Sequence, residues 1–359
     1  MDLRCSAAVG AGLLEGAAAR RISARRVALW WWSIRCSMRR HRIQLQPGQV
    51  AGLSVAGVAP PNPGAVRSTL PSRFGRVGNE AKAIEVVALS LRYSTAWALK
   101  DCSVSIPEGR IAALVGPNGA GKTTLLQILV GLQTPTAGSV QILGQAAPPL
   151  TKIGFVAQDK PMFIGLTVAE TLKIGRVLNP VWDNAYAQRR LATFNIPLSR
   201  KIAKLSGGQR TQVALTMALA KLPDMLVLDE PFADLDPFAR GTLLNDLMSV
   251  TATRGLSVIF STHVISDLQA VCSWLVIMKQ GRVLLSEDME QVCATHWSVT
   301  TAPRSSASSR PSPYIVIHTS TFEGTTKQLI RSSSKPPYRS GFDTERASLE
   351  DVVVGYIAG

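Results

Sequence analysis

Gly116-Pro117-Asn118-Gly119-Ala120-Gly121-Lys122-Thr123 sets three glycines, an ammonium and a hydroxyl within eight consecutive positions. Glycines there let backbone N–H groups turn inward around an anion, Lys122 adds a cation able to reach phosphate oxygens, and Thr123 offers a hydroxyl to Mg²⁺. A glycine-rich turn that holds no ligand is the duller alternative. Asp229-Glu230 adds two adjacent carboxylates. Asp229 suits the shell of a Mg²⁺ ion and Glu230 suits a base that polarises water, whereas the same pair standing alone also fits a solvated end to a core strand. Leu205-Ser206-Gly207-Gly208-Gln209-Arg210 follows a third logic, with Ser206 lying 23 residues before Asp229. Ser206 and Gln209 have the spacing of a capping box, and two glycines at such a helix start leave bare donors facing an incoming anion. A purely structural Gly-Gly cap fits that pattern too.

These residues need elements to aim them. The apolar run 111–115 reads as a buried strand and 123–132 as a helix, which puts the glycine-rich turn between strand and helix. The run 225–228 is too short for a helix and reads as a buried parallel strand that presents Asp229 and Glu230 at its carboxyl edge, where open α/β sheets bind ligands. Helical spacing over 213–222 ends before Pro223, so the hexapeptide opens a helix. Further helices are expected over 168–178, 182–194 and 238–250, a strand over 257–261, and a hairpin of 275–278 with 282–285 about Gln280-Gly281. Residues 297–313, rich in Ser, Thr, Pro and Arg, read as a linker or exposed loop, and 314–318 as one more strand.

Taken together, these residues resemble the ATP-binding cassette (ABC) family over residues 83–295. The resemblance implies an α/β P-loop NTPase core with a mostly parallel sheet, an antiparallel β subdomain and a small α-helical subdomain at about 159–205. It implies that ATP is bound by Gly116, Pro117, Asn118, Gly119, Ala120, Gly121, Lys122, Thr123 and Thr124, with Tyr93 stacked on adenine. Mg²⁺ would be held by Thr123, Gln158 and Asp229. Catalysis would fall to Glu230, His263 (in Ser261-Thr262-His263) and the Q-loop Gln158. The signature Leu205, Ser206, Gly207, Gly208 and Gln209 would face the ATP of a partner cassette, and Asp236 would lie in the D-loop at the dimer seam. Gln158, His263 and Tyr93, each taken singly, fit a loop residue, a satisfied strand-end histidine and a strand aromatic. Asp234 departs from the family, which usually carries a small residue at that place.

The family further implies an ATPase that forms a homodimer, or a heterodimer with a paralogue, and drives a separate integral membrane permease from the cytoplasmic face of the cell membrane. Leu349-Glu350-Asp351-Val352 resembles the closing segment of exporter-type subunits, which points to the ABC-2 type and to export. A non-transport ABC ATPase acting on nucleic acid or ribosomes is the alternative; its two-cassette, coiled-coil and zinc-bearing branches do not match this chain, so no nucleic acid partner is expected. Apolar runs fall short of the roughly 18 residues needed to span a bilayer.

Five cysteines, Cys5, Cys36, Cys102, Cys272 and Cys293, show no C-x-x-C spacing, which argues against a zinc site or disulfide framework and fits a reducing cytosol. The net charge of +15 is uneven: residues 1–78 hold twelve Arg, no Lys and only Asp2 and Glu15 as acids. This basic leader, with Trp30-Trp31-Trp32, admits a disordered tail, a start codon placed too early, a membrane-surface segment or a transit peptide. Residues 296–359 are expected to form a linker and C-terminal tail.

Overall fold

The structure, a computed structural model, describes residues 81–94, 96–146, 150–265, 268–301, 314–322, 324–336 and 342–359. The leader 1–78, with Trp30–Trp32, Cys5 and Cys36, and the 302–313 part of the expected linker lie outside the described residues. Residues Ala81–Gly359 form one compact unit.

In chain order its elements are β1 (Lys82–Tyr93), β2 (Ala96–Pro107), β3 (Ile111–Val115), α1 (Lys122–Leu129), β4 (Ala137–Ile142), β5 (Ile153–Val156), α2 (Val168–Leu178), α3 (Asn184–Thr193), α4 (Gly207–Ala220) and β6 (Met225–Leu228). There follow α5 (Pro237–Arg254), β7 (Ser257–Thr262), α6 (Leu268–Val271), β8 (Trp274–Lys279), β9 (Arg282–Asp288), α7 (Met289–Thr295), β10 (His296–Thr301), β11 (Ile315–Phe322), β12 (Thr325–Arg331), β13 (Phe342–Arg346) and α8 (Leu349–Ala358). Among the described residues no helix is long and apolar enough to cross a membrane.

The central sheet has the order β5-β6-β7-β3-β8-β9 and is parallel except for the edge strand β9. Its inner strands are apolar on both faces because both are covered. Ile111, Ala113 and Val115 of β3 pack with Leu215 of α4 and Leu243 of α5, while Ala112 and Leu114 turn the other way onto Leu125 and Leu126 of α1. That second face also carries an antiparallel sheet of order β2-β1-β4, whose Ile84, Leu99 and Ile142 complete the layer. The register sets the geometry of the site: Val115 pairs with Thr262 and Leu228 with Phe260, so the chain segments after β3, β6 and β7 leave the sheet side by side.

α2, α3 and the 3₁₀ turn Ile202–Lys204 gather on the start of α4 around Val168, Leu172, Leu191 and Val213, forming the expected helical layer. Thr167 and Glu170 make a capping box at α2. Buried Arg190 pins this layer to the core: it bonds Asp246 of α5, donates to Gln212 Oε1 of α4 at 2.9 Å and lies over the Phe194 ring.

Several expected boundaries move for local reasons. α1 stops at Leu129 because Gly131 takes a left-handed turn. α3 begins at Asn184, since the Asp183 side chain caps it by accepting from the Tyr186 N–H. α5 runs from Pro237 to Arg254, started by an Asp236 cap and a first-turn proline and ended by Gly255. The linker reading of 297–313 is corrected for its first five residues. They belong to β10, one of the two inner strands of a sheet of order β11-β12-β10-β13, with Trp297 and Val299 buried. The composition masked an alternating strand pattern, because the Ser and Thr residues that read as linker also suit a pleated surface. The strand expected at 314–318 extends to Phe322, and the closing segment is the first turn of α8, whose Leu349, Val352 and Val353 pack with Leu329 of β12 on the main core.

Candidate functional site

The glycine-rich turn joins β3 to α1. Gly121 caps α1 with φ of 98°, a left-handed conformation, and a side chain there would meet the Ala98 carbonyl at 2.7 Å. The Lys122 side chain is only 7% exposed. Its Nζ donates to the carbonyls of Gly116 at 2.7 Å and Pro117 at 3.1 Å and lies 4.0 Å from Glu230 Oε1. Burial pulls its ammonium below the usual lysine range, while Glu230 and Asp229 push the other way. Pro117, Asn118 and Gly119 form an exposed rim, Ala120 is buried, and Thr123 and Thr124 are half-buried.

The acidic pair follows β6 and is buried, which excludes the solvated strand end. Asp229 Oδ1 accepts from Thr123 Oγ1 at 3.1 Å and from Ser261 Oγ at 2.7 Å. Ser261 Oγ in turn accepts from the Glu230 backbone N–H at 2.8 Å. Glu230 sits at φ 47°, a left-handed conformation unusual for a glutamate. Its Oε2 lies 2.9 Å from Nδ1 of His263, whose side chain is 59% exposed. One hydrogen-bonded and ionic cluster at the carboxyl ends of β3, β6 and β7 thus joins Lys122, Thr123, Asp229, Glu230, Ser261 and His263.

The other expected residues lie on other segments of the chain. Gln158 is exposed on the turn after β5. Tyr93 is exposed at the end of β1. Leu205 is buried under the start of α4, and Ser206 and Gln209 form both halves of the capping box at 3.2 Å each. Gly207 is exposed and Gly208 half-buried. Asp236 caps α5 by accepting from the Ala239 N–H at 2.8 Å.

Two residues were not singled out by spacing. Ser261 orders the Asp229 carboxylate and the Glu230 backbone, and its signal was a hydroxyl at the carboxyl end of an apolar strand. Lys160 is buried beside Gln158 and pairs with Asp234 at 2.5 Å, a contact that no local pattern encodes.

A nucleotide and Mg²⁺ fit this site on its own chemistry. The inward turn and buried ammonium suit phosphate oxygens, and the Thr123 hydroxyl and Asp229 carboxylate, 3.1 Å apart, are the hard oxygen donors that Mg²⁺ takes.

The sequence model of the ABC transporter family matches residues 99–233. The chain is 32% identical to the uncharacterized ABC transporter ATP-binding protein YxlF of Bacillus subtilis, over 58% of this chain and 72% of that one. It is 34% identical to the sulfate/thiosulfate import ATP-binding protein CysA of Escherichia coli K12, over 58% of this chain and 61% of that one, so it spans about three-fifths of that relative's length. Among solved structures it is similar to the dimeric post-hydrolysis state of the ATP-binding cassette MJ0796 bound to ADP and Pi, at TM-score 0.53 and 26% identity, covering 57% of this chain and 98% of that one. On these likenesses in sequence and in fold, this chain belongs to the ATP-binding, ATP-hydrolysing subunits of the ABC transporter family.

Proposed function

We propose that two cassettes, two copies of this chain or this chain and a paralogue, close over two ATP molecules and so drive a separate integral permease from the cytoplasmic face of a membrane. The observation that carries this is the joined cluster of Lys122, Thr123, Asp229, Glu230, Ser261 and His263 on three adjacent strand ends. Gly116 to Thr124 hold the phosphates, Lys122 binds the β- and γ-phosphate oxygens, and Tyr93 stacks on the base. Mg²⁺, when bound through Thr123, Asp229 and Gln158, supplies charge neutralisation on the phosphates. Glu230 accepts the proton of the attacking water, and His263 holds the Glu230 carboxylate in place. Gln158 lies where a signal from the permease reaches the site. Ser206, with the free backbone N–H groups of Gly207 and Gly208, receives the γ-phosphate held by the partner's Lys122, so each chain supplies half of each site. Closure follows because the γ-phosphate interacts with both cassettes only in the closed state.

The finer reading, an ABC-2 type exporter, rests on Leu349–Val352 alone, and the substrate-named relatives are import subunits.

The test is Glu230→Gln. This variant should bind ATP, hydrolyse it slowly and accumulate as a dimer in sedimentation with ATP. A variant that stays monomeric and turns over at the parent rate would remove Glu230 as the base.

A further inference from the structure

Asp234 stands in Ala233-Asp234-Leu235-Asp236, on the turn that carries the chain from Glu230 to the cap of α5. Its Oδ2 lies 2.5 Å from Lys160 Nζ, and the same ammonium donates to the Gln158 carbonyl at 3.2 Å. The two partners differ in surroundings: the Lys160 side chain is 5% exposed and that of Asp234 is 50% exposed. Lys160 also sits at φ 43°, closing a turn in which its N–H donates to the Ala157 carbonyl at 3.0 Å. A residue other than glycine is uncommon in that backbone region.

Asp234 also lies under the signature glycines. A Cβ built on Gly207 would come within 3.2 Å of Asp234 Cβ and 3.4 Å of its Cγ, and one built on Gly208 within 3.3 Å of its carbonyl oxygen. The first turn of α4 thus rests on Asp234, and its carboxylate is a negative charge beside a helix N-terminus suited to anions.

We propose that Lys160 and Asp234 are a positioning and neutralising pair: Lys160 draws the Asp234 carboxylate toward the Gln158 turn and cancels a charge that would otherwise repel the γ-phosphate arriving at Ser206–Gln209. Both residues act through the signature and not on the reacting atoms. The inference rests on the reading that this signature receives a partner's ATP. It makes the position of the Gln158 turn and the affinity of the signature interdependent through one ammonium.

The experiment uses the full chain carrying Glu230→Gln and measures, by sedimentation, the ATP concentration that half-dimerises it. Adding Lys160→Met should raise that concentration about tenfold in about 0.1 M salt, and the shift should shrink in about 0.5 M salt as the bare carboxylate is screened. Adding Asp234→Ala to Lys160→Met should return it to within about threefold of the Glu230→Gln parent, because the repelling charge is gone. Recovery in the double substitution also shows that Lys160→Met had not simply unfolded the chain. A dimerising parent whose Lys160→Met shift is absent, or is not reversed by Asp234→Ala, overturns the pair alone. A parent that never dimerises with ATP overturns the reading of the signature and the pair with it.

Discussion

His263 Nδ1 lies 2.9 Å from Glu230 Oε2, tying the segment after β7 to the segment after β6. The glutamate it meets is held at φ 47°, a conformation that costs a non-glycine residue roughly 1–3 kcal/mol. Ser261 holds that backbone by accepting the Glu230 N–H at 2.8 Å. The carboxylate is thus aimed by contacts from a strand other than its own.

His263→Ala should lower kcat for ATP hydrolysis by roughly 10²-fold, the scale of a displaced general base, and leave nucleotide affinity nearly unchanged. Phosphate release and equilibrium nucleotide binding measured on the same preparation separate the two. An unchanged kcat would show that Glu230 needs no orienting partner.

Lys122→Ala should weaken ATP binding by at least about tenfold, and Lys122→Arg should not restore it, because a planar guanidinium does not replace a compact ammonium at the Gly116 and Pro117 carbonyls. The check is the rise in melting temperature on adding ATP. Full stabilisation of Lys122→Ala by ATP would contradict the role given to the turn.

Ser261→Ala removes a buried hydroxyl that donates to the Asp229 carboxylate and accepts from the Glu230 amide. Loss of two such bonds should cost about 2–3 kcal/mol in denaturant unfolding and also slow hydrolysis. A stable variant with parent turnover would mean that the carboxylates are positioned without it.

His296 gives a pH dependence far from the site. It is fully buried, with Nδ1 against the Val292 carbonyl at 2.9 Å and Nε2 against the Tyr356 hydroxyl at 3.1 Å. Burial, more than any other influence, lowers its pKa from the ordinary 6.5; Arg331 lowers it further, while the Val292 carbonyl and Glu287 oppose the shift. The unfolded chain therefore takes up this proton first. The stability contribution is present in full above pH 6.5 and is lost as pH falls through the lowered folded value, at no more than about 1.4 kcal/mol per pH unit. His296→Gln should lose this dependence, so its stability difference from the parent should narrow between about pH 7 and pH 5. A constant difference across that range would show that His296 does not titrate with unfolding.

Lys122, Asp229, Glu230 and Ser206 were legible in the chain because each belongs to a local rule. An apolar run of strand length fixes where a carboxylate emerges, a strand-to-helix change fixes where glycines turn, and the Ser206 to Gln209 spacing writes its own cap. The helices at 168–178 and 207–220 follow from periodicity and capping in the same way. The β10 strand was obscured because Ser and Thr serve both loops and pleated surfaces, and only pairing with β12 and β13 decides between them. Ser261 and Lys160 needed the tertiary structure entirely. Ser261 reaches Asp229 across 32 positions and Lys160 reaches Asp234 across 74, distances closed by strand order and not by any pattern a local window contains. The sequence by itself determined where the glycine turn, the carboxylate pair and the capped serine fall and on which element each begins. Only the packed sheet decided which of them meet, because bringing β3, β6 and β7 side by side depends on burying both faces of the sheet at once.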